Sequence, residues 1–365
     1  MKRTLERTGF SPCERPGAEG PGLHRVRTAV VAGTCASLVG MPPSAIRWIV
    51  LAVAVLLPSG ASAQLSFEAV GERALGMAGA FVAVSDDATA VHWNPAGLAS
   101  GHPVGMTIGW HDFQVGKSEA AAAPGARQGR ATLTSIAAWP LGLSYGTSRH
   151  SRLVTDANGD LTGESLRLGH VGVTLLQTIV DGLVVGSTLK VLRGGLATGA
   201  VGLPTAGEAL EALDDLERDN HTAFDLDVAV MAGSPSMRLG LALKNLRSPS
   251  FRATTGSEFV LPRQARIGVA VLPADGVTLA MDLDLNTVDL MGDLRRMLAV
   301  GGETSVGSRV QVRSGARWNL AGDRDVLGAV GASVSVRRGW WIDGHYARGR
   351  SDEAREMGVA LRAGF

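Results

Sequence analysis

From position 104 to the carboxyl end, apolar residues recur at every second position in short runs, the period of an extended chain with one apolar face. In 276–286, Val277, Leu279, Met281, Leu283 and Leu285 take one parity and Thr278, Ala280, Asp282, Asp284 and Asn286 the other. The same division separates Phe224, Leu226, Val228 and Val230 from Asp225 and Asp227, and Leu239, Leu241 and Leu243 from Arg238 and Lys244. It recurs with Met357, Val359, Leu361, Ala363 and Phe365 set against Arg362. A soluble sandwich alternates as well, so alternation alone does not choose between them.

The connections do choose. The pattern predicts fourteen strands, at about 104–115, 129–138, 141–150, 163–179, 182–193, 222–233, 236–246, 263–273, 276–287, 295–306, 309–319, 325–338, 340–348 and 355–365. Every second connection is minimal: Trp139-Pro140, Val180-Asp181, Ser234-Pro235, Ala274-Asp275, Gly307-Ser308 and Gly339. Such residues reverse a chain at little cost. The intervening connections, such as 116–128, 151–162, 194–221 and 247–262, are longer and polar. An even strand count with alternating short turns and long loops is the signature of a closed bacterial outer-membrane barrel, short turns facing the periplasm. Closure satisfies the backbone in lipid and removes the sheet's edges. Trp139, Trp340 and Phe365 would mark one interface, and Trp110, Trp318 and Tyr346 the other. The expected fold is therefore all-β: a closed antiparallel transmembrane barrel with a luminal plug at its amino-terminal side.

Residues 41–63 read as a secretory signal peptide, with Arg47, the apolar run Trp48–Leu57, and Ala61-Ser62-Ala63 before Gln64. Residues 1–40 show no folding pattern and are expected to be a non-native extension created by a start at Met41. Both cysteines, Cys13 and Cys35, lie in that prefix, so the exported chain would contain neither disulfide nor thiolate metal site. Removing 1–63 takes away seven of the 35 Lys and Arg and three of the 34 Asp and Glu, leaving 28 against 31. That balance gives no basic surplus for nucleic acid. The expected organisation is a hatch at 64–103 followed by a barrel at 104–365.

The hatch segment is rich in small residues and too broken for a lipid-facing strand. Asp86, Asp87 and Asn94 are cap and turn formers, and Asn94-Pro95 enforces an extended or turn backbone. Gly71-x-Arg73-Ala-Leu-Gly76-Met-x-Gly79-Ala, Asp86-Asp87-Ala88 and Trp93-Asn94-Pro95-Ala96-Gly97-Leu98 resemble the amino-terminal signature of the FadL-like barrels, particularly the PorV/PorQ branch. The resemblance spans about thirty residues. It implies a fourteen-stranded barrel with an amino-terminal hatch, in which Gly76, Gly79, Asp86, Asp87, Trp93, Asn94 and Pro95 are the candidate hatch or gating residues. It also implies that Phe365 is read by barrel-assembly machinery.

Other motifs are weaker. Asp156-Ala-Asn158-Gly159-Asp160 with Glu164 resembles the start of a calcium loop, but Leu161 stands where that loop needs glycine and Arg167 where it needs its last carboxylate. A polar hairpin tip is the preferred reading. Thr205 and Glu208 form a capping box for a helix bearing Leu210, Leu213 and Leu216. These leucines either contact a hydrophobic ligand at the mouth or pack on the rim, and rim packing is preferred. The inward parity carries Lys190, Asp225, Asp227, Arg238, Lys244, Asp282, Asp284, Arg313, Arg317, Asp343, His345 and Arg362. Their mixed signs suit a structural charge network more than an ion-selective pore.

No nucleophile motif, metal pattern or phosphate loop is present, so neither catalytic residues, metal nor cofactor is expected. The sequence points to an outer-membrane barrel for passive transport of small hydrophobic compounds such as fatty acids, as FadL-type members perform. The alternative is a component of protein secretion or surface attachment that binds exported proteins, as in the PorV branch. Outer-membrane lipid is the common partner of both readings.

Overall fold

The computed structural model describes residues 70–365 apart from 117–118, 157, 253–257, 291–292, 323 and 351–353. The signal-peptide segment, the preceding extension and the first hatch residues lie outside the described residues.

Fourteen strands close into one antiparallel barrel. In chain order these are β1 (Val104–Val115), β2 (Arg127–Ala138), β3 (Leu141–Thr155), β4 (Leu161–Val180), β5 (Leu183–Ala200), β6 (His221–Gly233), β7 (Met237–Lys244), β10 (Gln264–Ala274), β11 (Val277–Asp284), β14 (Met297–Val306), β15 (Val310–Asn319), β16 (Val326–Arg337), β17 (Trp340–Gly349) and β18 (Arg355–Gly364). β8 (Ser250–Arg252) and β9 (Glu258–Val260) form a small hairpin between β7 and β10. β12 (Val288–Leu290) and β13 (Asp293–Arg295) form another between β11 and β14. β1 and β18 pair from Gly105↔Gly364 to Gln114↔Arg355, which closes the ring.

The predicted strand count and order hold. Two kinds of boundary differ. The tight turns after β4 and β10 fall at Gly182 (φ +78°) and Gly276 (φ +73°), one residue beyond the predicted pairs, because these glycines occupy the left-handed backbone that a tight reversal requires. β3, β4 and β5 also run further than predicted, so much of the expected loops 151–162 and 194–221 is strand. At roughly 9–11 residues per membrane crossing, the 20 residues of β4 stand well clear of a bilayer.

One parity faces outward. Ile108, Leu143, Val173, Leu189, Phe224, Leu279, Val330 and Val359 are exposed large hydrophobics on eight different strands. In a soluble protein such a surface would be anomalous; as the wall of a membrane barrel it is the lipid-facing belt. The other parity is small: Ala229, Ala242, Ala270, Ala280 and Ala299 meet Leu75, Met77, Phe81, Val82, Val84 and Trp93 in one buried cluster.

Those last residues belong to the luminal plug. It contains α1 (Glu72–Gly76), α2 (Ala90–Trp93) and a 3-10 turn (Pro95–Ser100), joined by irregular backbone. Inward glycines let that backbone lie directly on the wall. A Cβ at Gly240 would come within 2.6 Å of the Val82 carbonyl oxygen, one at Gly301 or Gly315 within 2.5 Å of the Met77 oxygen, and one at Gly186 within 2.4 Å of the Ala96 nitrogen. These are backbone atoms that cannot swing aside.

Gly240→Val and Gly301→Leu are therefore expected to lower stability by about 1–3 kcal/mol through overpacking and to expose the plug to protease. Gly328, where an added Cβ meets nothing within 4 Å, is the control. Thermal unfolding in detergent, with limited proteolysis of the folded barrel, checks the expectation; unchanged behaviour of both variants would refute the glycine seat.

Candidate functional site

Between the plug and the outer connections lies a chamber of about 70 Å³. Its floor is plug, with Val70, Val91 and His92; its walls include Ser144, His170, Thr188, Lys190 and Asp227; and Leu192 and Leu261 stand toward the loop side. Leu192 also belongs to an apolar cluster with Leu166, Leu168 and Leu196 of the wall and Phe251, Phe259 and Leu261 of the β8–β9 connection. By strand parity, Leu166, Leu168, Leu192 and Leu196 all point inward. The connection after β7 thus folds into the mouth, beginning at Asn245, whose left-handed backbone (φ +55°) turns the chain off the wall. Asn245 is held there by its backbone N–H, which donates to Asp227 Oδ1 at 2.9 Å, and by its side-chain N–H, which donates to the Pro262 carbonyl at 3.0 Å.

Lys190 places the chamber's buried cation. Its ammonium lies 2.9 Å from Asp225 Oδ2 and 2.7 Å from Asp227 Oδ1, and donates to Asn245 Oδ1 at 3.0 Å. Lys244 sits 3.0 Å from His92 Nε2, linking wall to plug. The chamber therefore combines apolar surface on the loop side with a locally neutralised polar wall, a lining suited to an uncharged or weakly polar guest.

On the opposite, short-turn side of the plug is a smaller vestibule of about 20 Å³ lined by Asp86, Asp87, Ala88, Leu98, His102 and Arg362 among others. Val91 of the chamber floor and Ala88 and Leu98 of the vestibule belong to one buried apolar cluster, with Ala90 and Ala137. That apolar septum includes lining residues of both spaces, Val91 of the chamber and Ala88, Leu98 and Ala137 of the vestibule.

The candidate hatch residues are the plug's fastenings. Arg73 is the centre: it donates to Glu303 of β14 from Nε to Oε2 at 2.9 Å and to Oε1 at 3.2 Å, and from Nη2 to Oε1 at 2.7 Å, and also donates to Asp86 and Asp87. Asp86 additionally approaches Arg238 at 3.5 Å. Trp93 is fully buried, donates from Nε1 to the Val70 carbonyl at 3.0 Å and meets Phe81 edge-on at 5.9 Å. Asn94 donates to the Val82 carbonyl at 2.8 Å and to Val230 of β6 at 3.3 Å, while its oxygen accepts from Ala96 N. Pro95 starts the 3-10 turn. Gly76 packs against Gly331 and the Arg313 side chain, and Gly79 takes φ +90°.

The twelve predicted lumen residues all take inward positions, but they divide into local clusters. Beyond Lys190 with Asp225 and Asp227, Asp284 pairs with Arg266 at 2.6 Å and Asp343 with Arg362 at 2.8 Å. Arg313 approaches Glu303 at 3.1 Å, and Arg317 pairs with Glu356. Asp282 accepts from the backbone N–H groups of Phe81 and Val82 at 2.9 and 2.8 Å, a second wall-to-plug tie. His345 stacks on His111 with centroids 5.3 Å apart. Arg73, Glu303, Arg266, His92 and Glu72 complete these clusters and were missed among the candidates. Inward parity was an available signal for Glu303 and Arg266; for the plug residues only the fold could supply partners.

Leu210, Leu213 and Leu216 are not at the chamber. The helix α3 (Ala206–Ala212) caps on Thr205, whose oxygen accepts from Glu208 N, and packs with Leu153, Leu161 and Val201. Added Cβ atoms at Gly163 and Gly199, both on the outward parity, would meet Leu213 and Leu216. The helix ends at Ala212, so of the three leucines only Leu210 is helical; the helix and the Leu213–Leu216 segment after it lie outside the extended β3–β5 wall. At 156–160, Asp156 Oδ1 accepts from Asn158 N and Asp160 N, an Asx-type turn.

Glu72 is buried in a notch over Gly109 of β1 and Gly358 of β18, where the His345 ring also approaches Gly358. Neither carboxyl oxygen has a hydrogen-bond partner among the described residues. Burial, with Asp343 and Asp87 nearby, pushes its pKa from 4.5 up to about 8. The seated plug therefore keeps this proton at pH values where a released plug loses it, so the seat weakens as pH rises from about 4.5 through 8.

No curated protein sequence is significantly similar to the chain. The profile of the family described as "F plasmid transfer operon, TraF, protein" matches residues 118–284, somewhat less than half of the chain. Among solved structures, the CymD monoaromatic hydrocarbon channel is similar at a TM-score of 0.61 and 13% identity, covering 82% of this chain and 99% of that one. The Pseudomonas putida toluene transporter TodX is similar at 0.55 and 11%, covering 83% and 98%. A Pseudomonas aeruginosa FadL homologue is similar at 0.55 and 12%, covering 83% and 99%.

Two expectations follow from the fastenings. Arg73→Met leaves Glu303, Asp86 and Asp87 without their shared guanidinium and should cost about 3–5 kcal/mol, read as protease-sensitive plug and raised conductance in planar bilayers; wild-type conductance would refute it. Raising the pH from 5 to 9 should loosen the plug in the native chain and much less in Glu72→Gln, followed by the same proteolysis; an identical pH response in both would remove Glu72 from the explanation. What the comparisons establish is the architecture: the chain has the closed fourteen-stranded barrel of FadL-type outer-membrane channels.

Proposed function

We propose that this protein is an outer-membrane channel for passive passage of small hydrophobic molecules. The single observation that carries the reading is the pair of spaces on either side of the plug, divided by the Ala88–Val91–Leu98 septum, the larger bordered by Leu192 and Leu261 of the apolar cluster at the mouth. A guest entering from the loop side leaves water for the apolar mouth, reaches the chamber, and passes the septum when the plug rearranges locally. The neutralised Lys190 cluster provides no strong field to trap it, and no reacting group is needed. The similar barrels CymD, a monoaromatic hydrocarbon channel, and TodX, a toluene transporter, support an uncharged aromatic or aliphatic cargo. The exposed apolar belt and the barrel architecture support placement in the bacterial outer membrane.

The alternative, a secretion or surface-attachment component, is supported by the resemblance of Gly71–Leu98 to the PorV/PorQ signature. Recovery of one exported protein with the intact barrel, together with unchanged hydrocarbon uptake in its absence, would favour that role.

Transport is tested by uptake of radiolabelled toluene and of a long-chain fatty acid in cells with and without the protein. Leu192→Asp with Leu261→Asp is expected to lower uptake about tenfold by placing charge where the guest must desolvate, whereas Leu98→Ala, which thins the septum, is expected to raise it. Uptake unaffected by loss of the protein would defeat the proposal.

A further inference from the structure

On the outside of the barrel, six of seven adjacent strands, from β17 across the seam to β5, change in the same way. Above the apolar outward residues Val171 and Val173 of β4 comes Arg167; above Leu143 and Tyr145 of β3 comes Arg149; above Ile136 of β2 comes Arg130; and above Leu189 and Val191 of β5 comes Arg193. Across the barrel seam, Tyr346 of β17 leads to Arg348, and Met357 and Val359 of β18 lead to Arg355. β1 lies within this crescent and contributes Trp110, Asp112 and Gln114 at the same face.

The arginines are not dispersed. Arg130 is the cross-strand partner of Arg149, Arg149 that of Arg167, and Arg348 that of Arg355. Like charges directly opposite one another destabilise a sheet. Among the outward positions of these seven strands only Asp112 is acidic, 3.5 Å from Arg130. Asp214, from the connection after β5, pairs with Arg149 and stands 3.7 Å from Arg167. Among the described residues, two carboxylates therefore approach six guanidinium groups, and Arg130, Arg167, Arg193, Arg348 and Arg355 are exposed.

The anion that completes this surface must sit at the upper edge of a lipid-facing belt. A soluble acidic protein would meet hydrocarbon there; an amphiphile with a phosphorylated headgroup would not. Arginine's planar fork suits phosphate oxygens. Trp110 lies under Arg130 at 5.9 Å, an aromatic at the depth where headgroup and acyl chain meet. Between the arginines and the belt the wall is low: Thr132, Thr147 and Gly169 occupy it, and a Cβ at Gly169 would touch nothing nearer than 3.7 Å.

We propose that the arginine crescent from β17 to β5 binds the phosphate groups of the outer leaflet's glycolipid, fixing a phosphorylated lipid against that side of the barrel. The proposal rests on the outer-membrane placement, but not on what the lumen transports.

The test reconstitutes the full chain in phosphatidylcholine nanodiscs containing either diphosphoryl lipid A or the same lipid with both phosphates removed, and counts retained lipid by native mass spectrometry. The native chain should prefer the phosphorylated form by about tenfold, the scale of one charge-assisted contact. Arg130→Gln, Arg167→Gln, Arg193→Gln and Arg348→Gln together should abolish the preference, and lysine at the same four positions should restore part of it. Equal retention of the two lipids by the native chain overturns the proposal even if the glutamine variant does not fold, as does an undiminished preference in a folded glutamine variant. Membrane fractionation of the native chain separates this result from an error of placement: a barrel in the outer membrane without lipid preference defeats the crescent alone.

Discussion

Everything inside this barrel depends on how closely irregular backbone can approach a sheet. The plug has two short helices and a 3-10 turn, too little regular structure to satisfy or rigidify itself. It is held because the wall beneath it is glycine and alanine. At Gly186, Gly240, Gly301 and Gly315 plug backbone occupies the space in which any other residue would carry its Cβ. The close approach excludes the voids that an obstructed lumen would otherwise contain, and it brings plug amides within reach of wall acceptors such as Asp282.

Charge then acts locally. A barrel lumen with many inward ionisable groups could generate a field along its axis, but here Arg73, Lys190 and Arg266 each meet carboxylates in their own neighbourhood. Arg73 gathers Glu303, Asp86 and Asp87, Lys190 gathers Asp225 and Asp227, and Arg266 meets Asp284. The first cluster fastens the plug, the second lines the chamber and the third holds two strands together. Buried pairs of this kind contribute more to a specific arrangement than to net stability. The lumen that results is partitioned by an apolar septum, which is compatible with small hydrophobic cargo and a modest rearrangement.

The outside obeys a different constraint. Lipid demands an apolar belt, and the belt ends where the bilayer does. On the β17–β5 side that limit is marked by arginines, whereas the extended upper parts of β3, β4 and β5 are covered by α3 through Leu153, Leu210 and Leu213. The tall part of the wall thus packs against its own connection, whose Asp214 pairs with Arg149, while Arg130, Arg193, Arg348 and Arg355 stay exposed.

The alternation of side chains and the alternation of connection lengths were sufficient for fourteen strands, their order and the inward or outward direction of nearly every side chain, because a strand's period and a hairpin's closure are local properties. The tightness of the turns was legible too, though Gly182 and Gly276 belonged in them and not in the strands they were assigned to. Parity also placed the twelve polar lumen residues on the inward face. It could not reveal that they would form separate clusters, since Arg73 and Glu303 stand 230 positions apart, and no local rule measures such a distance. The helix bearing Leu210 was legible as a helix, but whether its leucines met a ligand or the outer wall depended on Gly163 and Gly199 lying beneath them. What sequence alone determined was the barrel; the seat of the plug, the chamber and the septum were decided by tertiary structure, because each is made where a segment with no repeating pattern meets strands distant in the chain.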